Sequence, residues 1–430
     1  MKDALPTSLI EVQKLRVGMF VHLDVGWMAH PFPLSSFKIS SPDQIATIRG
    51  LGKARVRWSP DKSDPDTAAE TAAVEAPAVP AVGSGIGVPV ETPQAAEARR
   101  HREALAAARS RLTLCERQFA EATKACRQAT DLALSKPDEA RATAEALSRA
   151  FVDKMVGDQE MCIRLLTEAA GDKASHHAVN VAVISLLMGR TFGLSPEEMM
   201  DVGVGSLMHD IGKLELPERV RHREEHFTVA ETQFYQEHVA HGVTIARRMG
   251  LQPGATLVIA QHHEHADGSG FPLKLNSDRM TTAARIVSLV NRYDNMCNPH
   301  VPSRALTPHE ALSLLFAQGK NRYDTAILGA FIRMMGVYPP GSTVQLTDDR
   351  YALVMSVNST RPLKPTVLVH DPKTPRDDAL LLNLEADTRL GIRRSLKPQA
   401  LPPDAIAYLS PRPRVSYFFE PNVTTEDSPA

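Results

Sequence analysis

The sequence predicts a multidomain protein: an all-α domain with a small β-rich domain ahead of it and a β-rich tail behind it. Three observations carry this. Residues 9–58 hold short apolar runs broken by Gly and Pro, residues 172–336 hold one helical pattern after another, and beyond Tyr338-Pro339-Pro340-Gly341 the pattern turns to alternation. A length of 430 residues fits roughly two to four domains.

In chain order, VGMFVHLDV, WMAHPFPLSSFKI and KARVRW read as strands separated by turns, giving a small domain over residues 1–60. Residues 61–95 are dominated by Ala, Pro, Gly and Ser without an aromatic residue, the composition of a flexible linker. Residues 96–171 shift to Ala, Arg, Glu, Leu and Gln, with Pro137 as the one proline, so two helices broken at Ser135-Lys136-Pro137 are expected. This helical connector is a candidate for homodimerisation, with packing onto the next domain as the alternative. In residues 172–340, HHAVNVAVISLLMGRTF opens the helical series. SPEEMMDVGVGSLMHDIGKL follows, with Ser195 as N-cap, Pro196 at the first helical position and Glu197 and Glu198 in the first turn. TVAETQFYQEHVAHGVTIARRMG stops on Gly250, and ATLVIAQHHEHA, MTTAARIVSLVNRYDNM and TPHEALSLLFAQ complete the domain. Residues 341–430 contain TVQLT, YALVMSVN and PTVLVHD, which read as strands.

Composition excludes some classes of function. A net charge of -1 and a pI near 7.0 give no global attraction to a nucleic acid polymer or a membrane surface. The opening MKDALPTSLIEVQKL lacks the apolar run of a signal peptide, and no stretch of 18 apolar residues predicts a membrane span. The four cysteines, Cys115, Cys126, Cys162 and Cys297, form no C-x-x-C pair, and reduced thiols in a cytoplasmic protein are the expectation.

Histidine marks where chemistry should be sought. Eleven of the 16 histidines lie between His176 and His300. Leu207-Met208-His209-Asp210 sets a nitrogen ligand beside a carboxylate in an otherwise apolar helix, where neither belongs unless paired or coordinated. The two oxygens of Asp210 can bridge two cations, as two-metal phosphoester chemistry requires. One turn on, Lys213 can neutralise charge developing on a phosphate oxygen. His177 opens one helix, His238 lies in the middle of another, and His262 and His263 are adjacent, so on a helix they point about 100° apart.

The segments HHAVNVAV, LMHDIGK, EHVAHG, QHHEHADGSGFP and ARIVSLVNRYD resemble the HD-GYP family, a branch of the HD phosphohydrolase superfamily whose members hydrolyse cyclic di-GMP. The match spans roughly residues 150–340, and residues 9–58 resemble a small domain of unknown function often found ahead of HD-GYP domains. The resemblance implies an HD-type helical fold and two divalent ions, iron or manganese in this family. As metal ligands it implies His177, His209, Asp210, His238, His262, His263 and Asn291, with Asp210 bridging. It implies catalytic roles for Asp210 and Lys213, attack by a hydroxide held between the metals, and a substrate side built from Lys213, Asp267, Gly268, Gly270 and Phe271, with His300 and Arg304 beyond. His222, His226, His241 and His265 match no family position.

The sequence also departs from the family's pattern. Asn291 stands where the family has an aspartate, with Asp294 one turn on as a geometric substitute. Lys173 replaces the glutamate of three-metal members, favouring two metals and the product pGpG, with further cleavage to GMP as the extension. Phe271 replaces the namesake tyrosine, and His300 and Ser303 replace a basic pair, with Arg304 next door. The expected activity is a cyclic di-GMP phosphodiesterase. The alternative is a catalytically weak or inactive domain serving as a cyclic dinucleotide sensor or protein-interaction module.

Overall fold

The computed structural model describes residues 8–24, 36–64, 93–155, 160–166, 172–222, 227–319, 321–358, 361–376, 379–386, 389–412 and 414–421. Most of the linker expected over residues 61–95 lies outside the described residues, as do all of WMAHPFPLS and His226. The chain divides into two compact units, Met1–Ala107 and Ala108–Ala430.

The first unit is a four-stranded antiparallel sheet in the order β1-β4-β2-β3, from β1 (Ser8–Glu11), β2 (Phe20–His22), β3 (Ser36–Lys38) and β4 (Arg55–Ser59). Helix α1 (Pro42–Gly50) starts on Ser41, whose hydroxyl accepts the Gln44 amide, and has Pro42 in its first turn. Val21, Ile39, Ile48 and Val56 form the buried centre. The β-rich expectation holds, with one helix that the sequence reading left out.

Helix α2 (Pro93–Leu132) begins in the first unit and continues into the second, and α3 (Pro137–Met155) follows the break at Pro137. The all-α domain is α4 (Lys173–Thr191), α5 (Pro196–Met208), α6 (Val229–Met249), α7 (Pro253–Gln261), α8 (Thr282–Cys297), α9 (Pro308–Gln318) and α10 (Thr325–Met335). Its starts are chemically specified: Asp172 accepts the Ala174 and Ser175 amides, and Ser195–Glu198, Thr228–Glu231 and Thr307–Glu310 form reciprocal capping boxes. Helix α6 stops at Gly250, which has φ 69°. Helix α4 is buried along nearly its whole length and packs against α5 and α8, so a helix that is apolar all round lies at the centre.

The tail contributes β6 (Thr343–Leu346), β7 (Tyr351–Asn358), β8 (Thr366–Val369), β9 (Leu381–Asn383), β10 (Ile392–Leu396), a short α11 (Pro403–Leu409) and β11 (Tyr417–Pro421). One strand comes from elsewhere. Residues Met161–Leu165, inside the segment read as helical, form β5, and the order β10-β6-β7-β5-β11 puts it between two tail strands. All five of its residues are buried, so MCIRL shows no alternation and cannot be told from a helix fragment by periodicity. Chain from before and after the helical domain thus meets in one sheet. No helix among the described residues is long and apolar enough to cross a membrane.

The β5–β11 pairing carries a buried ion pair. Arg164 Nε donates to Glu420 Oε1 at 2.6 Å, with the two side chains only 8% and 9% exposed. Removing one partner strands the other charge. Glu420→Ala is expected to destabilise the second unit by about 3–5 kcal/mol, measured as a lower midpoint in urea unfolding. An unchanged midpoint would show that water reaches Arg164 once the carboxylate is gone.

Candidate metal centre

Four helices deliver the histidines. His177 lies in the first turn of α4, His209 and Asp210 just beyond α5, His238 in the middle of α6, and His262 and His263 just beyond α7. Their ligand-type atoms fall in two groups that share one residue: Asp210, His238, His262 and His263 in the first, and His177, His209 and Asp210 in the second. Within each group the atoms lie within 4.8 Å of one another. The turn after α5 makes this possible. A Cβ on Gly212 would lie 1.9 Å from the His238 carbonyl oxygen and 2.4 Å from the Gly242 nitrogen. Only glycine therefore lets the Asp210 turn press onto α6.

The imidazoles are fixed in orientation and tautomer. Nδ1 of His209, His238 and His262 donates to the carbonyl three residues earlier, Ser206 at 2.7 Å, Tyr235 at 2.6 Å and Ile259 at 2.7 Å. A carbonyl only accepts, so Nδ1 carries the proton and each neutral ring keeps its lone pair on Nε2. Those atoms converge: His209 Nε2 is 3.2 Å from His177 Nε2, and His238 Nε2 is 3.4 Å from His262 Nε2. Facing lone pairs cannot hydrogen-bond to each other.

Asp210 lies between the pairs. Its Oδ2 is 3.4 Å from His209 Nε2, and its Oδ1 is 3.6 Å from His238 Nε2 and 3.7 Å from His262 Nε2. Asp210 Oδ1 and His263 Nε2 are buried without a hydrogen-bond partner. Ligand atoms about 2.1 Å from a common ion are about 3–3.5 Å apart when adjacent around it, so the spacing, the orphaned atoms and the mixed N/O donors fit a divalent cation.

Burial, the largest influence, pushes His238 down to about 3 and also lowers His262 and His263, with neighbouring imidazoles adding to the effect. These rings stay neutral, the form that ligates metal. Burial opposes the Asp210 charge, but Lys213 and His209 outweigh it and hold the carboxyl well below its usual range. For His177 burial is outweighed by the hydrogen bond and charge of Asp294, and its pKa is raised. Lys213 Nζ is 2.6 Å from Asp210 Oδ2, and burial is outweighed by that carboxylate, so its pKa rises.

Asp294, offered by the sequence as a substitute ligand, lies behind His177 in the structure. Its Oδ2 accepts His177 Nδ1 at 2.6 Å, and its Oδ1 accepts the side-chain amides of Asn180 and Asn298, each at 2.9 Å. The same two asparagines bind the chain ahead of β11: both donate to the Val415 carbonyl, at 3.0 and 2.8 Å, while Asn180 Oδ1 accepts the Tyr417 amide at 3.0 Å. A line of hydrogen bonds thus runs from the tail to His177. Asn291 is buried on α8, with its amide oxygen accepting Asn295 Nδ2 at 2.6 Å.

A cavity of about 420 Å³ opens beside His177, Asp210 and Lys213. His300 lines it and stacks on His222 at 4.0 Å with an interplanar angle of 11°, giving a wall position to a histidine without a family counterpart. Asp267, Gly268, Gly270, Phe271 and Arg304, expected on the substrate side, do not line this cavity. Phe271 stacks on His263 with centroids 4.4 Å apart, and a Cβ on Gly270 would meet backbone at 2.5 Å. The turn therefore closes over His263. Glu264 holds it there: fully buried, it accepts the Leu273 amide at 2.6 Å and the Leu275 amide at 2.8 Å. In the sequence Glu264 is marked only as a charge between histidines. His265 turns away to Ser269 Oγ at 3.1 Å.

Asp294 yields a test. Asp294→Asn removes the charge behind His177 and should weaken divalent-metal binding by about 10–100-fold, read by competitive titration against a chromophoric chelator. Unchanged affinity would show that His177 needs no carboxylate behind it.

Comparison with known proteins agrees with this architecture. The HD domain family matches residues 160–327, and a domain of unknown function, DUF3391, matches residues 8–144. A cyclic di-GMP phosphodiesterase of Pseudomonas aeruginosa is 26% identical over 374 residues, 84% of each chain. A 3'3'-cGAMP-specific phosphodiesterase of Vibrio cholerae is 30% identical over 129 residues, 30% of this chain and 25% of that protein. Among solved structures, an HDG"Y"P protein from Bdellovibrio bacteriovorus aligns with a TM-score of 0.41 and 13% identity, covering 76% of this chain and 98% of that one. With its histidine groups, its HD turn and the domain ahead of them, the chain is similar to the HD-GYP family of HD-domain phosphodiesterases.

Proposed function

We propose that the protein hydrolyses cyclic di-GMP to linear pGpG at a site for two divalent ions, iron or manganese. The carrying observation is the pair of ligand groups that share Asp210, one oxygen facing His209 and the other facing His238 and His262. In this reading His177, His209 and Asp210 hold one ion and Asp210, His238, His262 and His263 the other, with Asn291 adding a neutral oxygen to the first. The chemistry that such ions supply when bound is Lewis-acid polarisation of a phosphoryl oxygen and acidification of water.

The chain's own residues supply the rest. Lys213, anchored on Asp210 Oδ2 at the cavity wall, places a permanent positive charge beside the reacting phosphate. Neutral His238, His262 and His263 accept no proton from the reaction at neutral pH, so they remain ligands throughout. Hydrolysis exchanges one P–O3' bond for P–OH, and the departing 3' oxygen takes up a proton. Cyclic di-GMP is chosen over 3'3'-cGAMP because the relative named for it aligns along 84% of both chains.

The test is metal analysis together with product chromatography. Metal-replete protein should hold about two ions per chain and convert cyclic di-GMP to pGpG. Asp210→Ala should lose both metal and turnover, whereas Lys213→Ala should keep its metal and lose about a hundredfold in kcat. Asn291→Asp should retain metal at chelator concentrations that strip the parent protein. The sensor reading is favoured by Phe271, which lacks a hydroxyl, and by the engaged amide of Asn291. Metal-loaded protein that binds cyclic di-GMP without cleaving it would replace the enzymatic reading with that one.

A further inference from the structure

The cations on the cavity wall are not equivalent. Lys213 is taken by Asp210 at 2.6 Å and Arg127 by Asp131 at 3.6 Å. Lys173, Arg221 and Arg414 form no ion pair among the described residues. The carboxylates nearby are already committed, Asp172 to the amides at the start of α4 and Asp294 to His177, Asn180 and Asn298. A half-buried guanidinium without a carboxylate, facing a cavity beside two metal-ligand groups, attracts an anion.

Arg414 differs from the other two: Lys173 is exposed, and Arg221 already gives its Nε to the Leu216 carbonyl at 2.9 Å, whereas Arg414 is half-buried and leads directly into a firmly held segment. Val415 donates its amide to Asn298 Oδ1 at 2.9 Å, and its carbonyl is bound by both asparagines. Ser416 Oγ lies 3.3 Å from the buried ring of His176. Phe418 packs edge-on against Phe119 and Phe151, with centroids 6.3 and 6.2 Å away. The chain directly after the arginine is therefore fixed, which lowers the entropy lost when the arginine side chain engages a ligand.

We propose that Arg414 binds a phosphate group of the substrate, so that the chain ahead of β11 is part of the catalytic site. It brings a positive charge to the cavity from outside the helical domain. The assignment rests on the phosphodiesterase reading in that its ligand is a phosphodiester.

The experiment uses full-length, metal-loaded protein and two substrates, cyclic di-GMP and bis(4-nitrophenyl) phosphate. Arg414→Gln should raise KM about tenfold or more, with a smaller change in kcat and with metal content and melting temperature unchanged. Arg414→Lys should recover part of the loss, and the parent's KM should climb more steeply with salt than that of Arg414→Gln. An unchanged KM on every ester that the parent cleaves overturns the proposal. So does a loss accompanied by lost metal or a lower melting temperature, which would mark a structural role. If the parent cleaves bis(4-nitrophenyl) phosphate but not cyclic di-GMP, the substrate assignment falls, while KM for the small ester still decides Arg414. A parent that cleaves neither overturns both.

Discussion

One carboxylate faces two sets of imidazoles, and much of the fold follows from keeping it there. Asp210 is surrounded by His209, His238 and His262 within 3.4–3.7 Å and by the Lys213 ammonium at 2.6 Å. A half-buried charge with one oxygen buried and without a hydrogen-bond partner is costly unless it is paired or coordinated. Its position requires α5 to end where it does, and it requires a glycine at 212, since any side chain would collide with the His238 carbonyl. It also requires α6 and α7 to present Nε2 atoms inward, which the back-bonds to Tyr235 and Ile259 ensure. These bonds are local to each helix, so the ligand geometry is set wherever the helices dock.

The docking is reinforced from outside the helical domain. Strand β5 arrives before α4 and β11 arrives at the end of the tail, yet they pair residue for residue and share the Arg164–Glu420 ion pair. The chain entering β11 then binds Asn180 and Asn298, which bind Asp294, which orients His177. Each polar group in this line is buried or nearly so, and each finds its partner, the condition under which a buried network rigidifies rather than destabilises. The tail is thus mechanically continuous with a metal-ligand candidate more than 230 positions earlier in the chain.

What could be read from the sequence follows the range of the interaction. The capping boxes at Ser195 and Thr228 and the stop at Gly250 are local chemistry, and so are the HD turn and the HH pair. The spacing of these last two is set by a single helix end each. Strand β5 was hidden because a five-residue, fully buried strand has no period to detect. Asp294 was legible as a carboxylate near the site but not on which side of His177 it would sit. Glu264 and Arg414 carried no local signal. The first acts on amides nine and eleven residues away, and the second owes its position to a strand pairing across the whole domain.

The same distinction of range separates the two halves of the candidate site. The rings of His209, His238 and His262 are oriented by carbonyls three residues earlier, and losing one such bond leaves an orphaned buried donor or acceptor. The substrate wall is assembled instead from the start of α4, the His222 and His300 segments and the approach to β11, where the backbone is held independently of any particular side chain. A cation lost from one segment of such a wall can be supplied by another, because a phosphate is satisfied by charge and hydrogen-bond donors within reach rather than by their order along the chain. The His222–His300 stack and Arg414, which has no ion pair among the described residues, share such a wall from three separate segments, beside the two groups that meet at Asp210.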